Sequence, residues 1–76
     1  MSDALLSTLG VEHPIIQAPM GGANATPPAL VAAVSNAGGL GFVGAAYMPP
    51  EQIARETKSI RDQTSRPWGI NLFVPV

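Results

Sequence analysis

Apolar segments recur in this chain at a nearly constant interval, and that interval limits the folds open to it more than any other feature. Ile15 and Phe42 stand 27 positions apart, and Phe42 and Ile70 stand 28 apart. Each sits in a short run that reads as extended, and a helical pattern fills each gap. Strand, helix, strand, helix, strand at this spacing is a run of βα units with parallel strands. Crossovers of this kind are right-handed, so both helices are expected on one side of the sheet. Eight such units close a (β/α)8 barrel of about 250 residues. The chain has 76 residues. The expected class is therefore α/β: the first three strands and two helices of a TIM (β/α)8 barrel, incomplete as given. Residues 1–76 then form the amino-terminal fragment of one barrel domain.

The first strand, about 14–18, lies between Pro14 and Pro19. A residue preceding proline is pushed towards extended geometry, so His13 and Ala18 both read as extended. Gly21 and Gly22 follow, in a tight turn at the strand's carboxyl end, where α/β proteins keep their sites. Ahead of this strand, residues 4–9 predict a lead-in helix capped by Ser2 or Asp3 and stopped by Gly10, a lid for the end of a larger core. After it, Thr26 is the expected cap of a helix over 29–37, with Pro27 and Pro28 in its opening turn. Leu30, Ala33, Val34 and Ala37 have the spacing of one buried face, broadened by Val31 and Ala32. Gly38 and Gly39 end that helix.

Residues 40–45 predict the second strand, its glycines allowing close approach by a neighbouring backbone or a ligand. Pro49 and Pro50 open a second helix that runs to about Thr64, with Ile53, Thr57 and Ile60 inward. Glu51 and Arg55 have the spacing of an i, i+4 ion pair on its outer side. The third strand, 68–74, puts Trp68, Ile70, Leu72 and Val74 on one face and Gly69, Asn71 and Phe73 on the other.

Composition narrows the functions. The chain is 46% hydrophobic and 12% charged, with a formal charge of −1 and four basic residues. That balance argues against nucleic acid as a partner. No apolar run approaches the roughly 18 residues of a membrane span, and residues 1–10 do not read as a secretory signal. A cytoplasmic location without membrane association is the expectation. There is no cysteine, which removes disulfides and thiolate ligands, and with one histidine no metal site is expected.

Gly39-Leu40-Gly41-Phe42-Val43-Gly44 matches the letters of a dinucleotide fingerprint. In that fingerprint a strand precedes the glycines and a helix opens from them, whereas here a helix precedes them and they span a strand. The glycines read as packing devices. His13 falls at the amino end of its strand, the stability end of a barrel. Glu51, Glu56 and Asp62 read as a solvated helix face. Two places remain. Ala18-Pro19-Met20 lies at the carboxyl end of the first strand, and Asn71 towards that of the third. An amide on an otherwise apolar strand needs partners, and it can donate and accept at once, which suits either the edge of a heterocycle or neighbouring backbone.

Three blocks carry a resemblance. Pro14-Ile15-Ile16-Gln17-Ala18-Pro19-Met20, then Ala33-Val34-Ser35-Asn36-Ala37-Gly38-Gly39-Leu40-Gly41, then Arg66-Pro67-Trp68-Gly69-Ile70-Asn71-Leu72-Phe73-Val74-Pro75 closely resemble the amino-terminal part of nitronate monooxygenases, formerly 2-nitropropane dioxygenases. The resemblance implies an FMN-containing (β/α)8 barrel, an oxidoreductase converting alkyl nitronates and molecular oxygen to a carbonyl compound and nitrite. It assigns cofactor binding to Ala18, Pro19, Met20, Gly21 and Asn71. The family's catalytic histidine lies beyond Val76, so this chain holds no catalytic residue and is expected to be inactive alone. FMN-dependent enoyl-acyl-carrier-protein reductases look similar over the same region and form the alternative, using a reduced nicotinamide. A third reading is a non-enzymatic truncated module that binds partners through its open strand edges.

Three parallel strands with two open edges and one bare face are not a stable unit, because all-parallel sheets are normally covered on both faces. Residues 1–76 in isolation are predicted to fold poorly. Circular dichroism on heating should show no sharp transition; reversible two-state unfolding of a soluble monomer would contradict this.

Overall fold

The computed structural model describes residues 2–20 and 27–72. In chain order these form α1 (Asp3–Leu9), α2 (Pro28–Asn36), β1 (Gly41–Gly44), α3 (Pro50–Gln63) and β2 (Trp68–Asn71). The class is α/β. β1 and β2 pair in parallel, with Gly41 opposite Trp68, Phe42 opposite Gly69, Val43 opposite Ile70 and Gly44 opposite Asn71. The ladder runs one step further, where the Ala45 N–H donates to the Asn71 carbonyl at 3.1 Å.

The segment expected as the first strand joins the other edge of β1 at a single parallel bridge, Ile16 to Leu40, and is not a regular strand. Residues 73 and 74 of the expected third strand, Thr26 and Gly21 lie outside the described residues.

Helix boundaries follow local chemistry. The Ser2 side chain accepts from the Leu5 N–H, and α1 ends on Gly10 in the left-handed region at φ 72°, where an L side chain is strained. Pro27 and Pro49 occupy the N-cap positions of α2 and α3, with no side-chain cap in either case, so the cap of α2 falls on Pro27 and not on the expected Thr26. A second proline then begins each helix, where its missing N–H costs nothing.

The core forms where both long helices meet one face of the sheet. Val31 of α2, Ile60 of α3, and Val43 and Ala45 of the β1 edge make one buried cluster, with Met48, Ile53 and Trp68 packed against it. Both helices therefore lie on the same side, as the spacing predicts. In α3 the inward residues are those expected: Thr57 and Ile60 are buried and Ile53 partly so. Fully burying Ile60 is worth about 1.5–3 kcal/mol. The i, i+4 pair on this helix is Lys58–Asp62 at 3.0 Å, and such an exposed pair contributes about 0.3–0.5 kcal/mol. The inner stripe, and not surface charge, seats α3.

Three further expectations are corrected. In α2 the buried residues are Val31, Ala32 and Ser35; Ala33 and Ala37 are exposed and Leu30 is 42% exposed. The helix is rotated because small residues face β1: the Gly41 Cα packs on the Val31 carbonyl, and a Cβ there would collide with it. The Glu51–Arg55 pair is not formed among the described residues. Glu56 is not on a solvated face; it is half-buried, and its Oε2 has no partner among the described residues.

At the amino end of the sheet, Arg66 donates to Glu12 at 2.6 Å. That hydrogen bond, with the charge of Arg66 behind it, holds the Glu12 carboxyl below the usual carboxylate range. Its contribution to stability is present above the unfolded value of about 4.3 and is lost as pH falls through the folded one. Both groups are exposed, so the tie is weak.

The buried Ser35 hydroxyl accepts from the Gly41 N–H at 3.1 Å, fixing the start of β1 to the end of α2. Ser35→Ala leaves that buried N–H unsatisfied and should cost about 1–3 kcal/mol. Chemical denaturation of the protein carrying this segment, variant against parent, measures it; an unchanged midpoint would show that the bond contributes nothing.

Candidate functional site at the carboxyl ends of the strands

Parallel pairing brings the carboxyl ends of the strands to one end of the sheet. Side chains alternate along β1, and the Val43–Ala45 face belongs to the helices. Phe42 and Gly44 therefore face the opposite way, together with their register partners Gly69 and Asn71. The Phe42 ring fills the space that a Cβ at Gly69 would occupy. No helix among the described residues covers this face.

The first extended segment ends by crossing onto that same face. A Cβ on Gly44 would collide with the Met20 carbonyl, and the Met20 nitrogen lies 3.1 Å from that Cβ position. The Met20 backbone thus rests directly on Gly44, whose partner across the ladder is Asn71. Three positions far apart in sequence meet here: Met20, Gly44 and Asn71.

The ladder explains why the chain leaves the sheet. Up to Leu40 it is regular: the Leu40 N–H donates to the Ile15 carbonyl at 2.9 Å, and the Gln17 N–H to the Leu40 carbonyl at 3.0 Å. The next parallel step would need an N–H from residue 19 for the Phe42 carbonyl, and proline has none. The Gln17 side chain takes over. Its Nε2 donates to the Phe42 carbonyl at 3.1 Å, and its Oε1 accepts from the Phe42 N–H at 3.2 Å. Residues 18–20 thereby leave the ladder while both backbone groups of Phe42 stay paired. Sequence reading passed over Gln17; the available signal was an amide two positions before a proline at a strand end.

Ala18 is exposed, Pro19 half-buried and Met20 60% exposed. Asn71 is half-buried, its backbone carbonyl is in the ladder, and its side-chain amide has no hydrogen-bond partner among the described residues. Of the five positions the resemblance assigns, the structure brings Met20 and Asn71 together at Gly44 and sets Ala18 and Pro19 on the same approach. Gly21 lies outside the described residues. His13 sits at the other end: its N–H, like that of Glu12, donates to the Gly38 carbonyl at 3.0 Å. The fingerprint-like glycines act in packing, since each of Gly39, Gly41 and Gly44 meets a different neighbouring backbone carbonyl, that of Ile15, Val31 and Met20 respectively.

The class defined by these features is an α/β protein with parallel strands, and its candidate site is the backbone and amide at their carboxyl ends. The nitronate monooxygenase family model matches residues 2–76, and the chain belongs to that family. It is 49% identical over 71 residues to a probable nitronate monooxygenase of Staphylococcus aureus, covering 93% of this chain and 19% of that protein. Among solved structures it is similar to nitroalkane oxidase from Streptomyces ansochromogenes, with TM-score 0.84 and 43% identity over 97% of this chain and 20% of the other. It also matches FabK from Thermotoga maritima, with TM-score 0.79 and 38% identity over 93% of this chain and 22% of the other. The chain spans about a fifth of the length of these relatives.

Gly44→Ala puts a methyl group where the Met20 carbonyl lies. The crossing segment must move off β1, at a cost of about 1–3 kcal/mol. Amide hydrogen exchange at Ala45, whose N–H closes the ladder on Asn71, should quicken. Unaltered exchange and stability would show that the crossing tolerates a side chain.

Proposed function

We propose that residues 1–76 form the amino-terminal portion of an FMN-containing (β/α)8 nitronate monooxygenase, with the flavin against the end of the sheet where Met20, Gly44 and Asn71 meet. Family membership supports the reaction class. The observation that carries the site is the Asn71 amide: half-buried, without a partner among the described residues, and on the uncovered face beside the Met20 crossing.

The residues present fit a flavin. An isoalloxazine has a broad apolar face and one edge of alternating donors and acceptors. An amide can serve both kinds of group on such an edge, and backbone released from a ladder at 18–20 offers flat, uncharged surface close by. We assign cofactor contact to Ala18, Pro19, Met20 and Asn71, and to Gly21 on the resemblance alone. When bound, FMN supplies acceptance of electrons from the nitronate and their delivery to molecular oxygen. The protein's part in this segment is to bind and orient. None of these side chains takes up a proton near neutral pH; on the resemblance, the catalytic histidine lies beyond residue 76. The products are a carbonyl compound and nitrite. The substrate is a small nitronate, and the protein acts in the cytoplasm.

Removing the Asn71 side chain should weaken FMN binding by about 1–3 kcal/mol. Flavin fluorescence titration of apoprotein, Asn71→Ala against parent, reads this; equal affinities would remove Asn71 from the site. Incubating the flavin-loaded protein with a nitronate in air, without nicotinamide, should release nitrite. Oxidation of a reduced nicotinamide on an enoyl thioester, with no nitrite from the nitronate, would favour the reductase class instead.

A further inference from the structure

The Gln17 clamp bears on that same site, and the inference drawn from it rests on the flavin reading above. Its amide makes the two bonds that a peptide unit would have made at this step of the ladder. Nε2 replaces the N–H that Pro19 lacks, and Oε1 replaces the Gln17 carbonyl. The same Nε2 lies 3.4 Å from the Ala18 carbonyl, so one side chain touches β1 twice and the departing segment once. Without it, the N–H and carbonyl of Phe42 at this edge of β1 would lose these partners, and the crossing would lose its attachment.

We infer that Gln17 is a positioning residue for the cofactor: by standing in for the missing Pro19 N–H, it holds the backbone of residues 18–20 against the site. The amide cannot be exchanged for its acid. In Gln17→Glu the Nε2 donor becomes an oxygen facing the Phe42 and Ala18 carbonyls, and repulsion takes the place of two contacts. Gln17→Leu removes both bonds without adding charge.

A double-substitution test on the full protein that carries this segment separates positioning from bulk stability. Gln17→Leu and Gln17→Glu should bind FMN about tenfold more weakly, with Glu the worse. The visible absorption bands of the bound flavin should shift, because the backbone beside the ring has moved. In a Pro19→Ala background, residue 19 regains an N–H that can pair with Phe42, so the further loss on adding Gln17→Leu should be smaller than in the parent. Thermal unfolding is followed alongside. Gln17 variants that keep parental FMN affinity and flavin spectrum overturn the inference, whatever their melting temperature. Equal losses with and without Pro19→Ala overturn the stand-in role. A parent protein that binds no FMN overturns the flavin reading and the positioning role together, whereas the clamp itself is then still read from hydrogen exchange at the Phe42 amide.

Discussion

Two neighbouring backbones press on β1, and the whole arrangement depends on its being narrow enough to admit them. Gly41 takes the Val31 carbonyl of α2 on one face, and Gly44 takes the Met20 carbonyl on the other. A side chain at either position would separate the layer it contacts. The residues between them do the opposite work: Val43 is buried in the helix-side core, and the Phe42 ring fills the space above Gly69. Small at both ends and large in the middle, this strand sets the rotation of α2, the position of the core and the place where the first segment can cross.

From that geometry the candidate site follows by a short chain of causes. Pro19 cannot continue the ladder, the Gln17 amide satisfies Phe42 in its stead, and the released chain settles on Gly44. Asn71 stands across the ladder from Gly44, so its amide shares the face onto which the chain has crossed. The result, among the described residues, is backbone and an amide at the crossing, with no ionised side chain there.

Much of this was legible in the sequence, because the signals were local. Repeated spacing of apolar runs announced parallel βα units, prolines and glycines marked helix ends, and the α3 stripe of Ile53, Thr57 and Ile60 needed only periodicity. What escaped depended on partners. Val31 and Ala32 were legible in the buried face of α2, but Leu30, which scores as apolar wherever it points, is exposed, while the polar Ser35 is buried because its hydroxyl takes the Gly41 N–H. Glu56 read as solvated because a carboxylate on an amphipathic helix usually is. The first strand read as regular because Ile15 and Ile16 look like any strand, and only the ladder shows that Pro19 ends it. Ala18, Pro19, Met20 and Asn71 were reached through position at strand ends and through resemblance, but their meeting point, Gly44, emerges from the fold.

Ile15, Ile16, Ile70 and Leu72, in the two segments that flank β1, are 61%, 51%, 40% and 61% exposed. Whether the face at Gly44 receives the flavin is decided by a crystal structure of the flavin-loaded protein. The isoalloxazine should lie along the backbone of residues 18–20, with its polar edge hydrogen-bonded to the Asn71 amide. A flavin seated elsewhere, with Asn71 bonded only to neighbouring backbone, would contradict it.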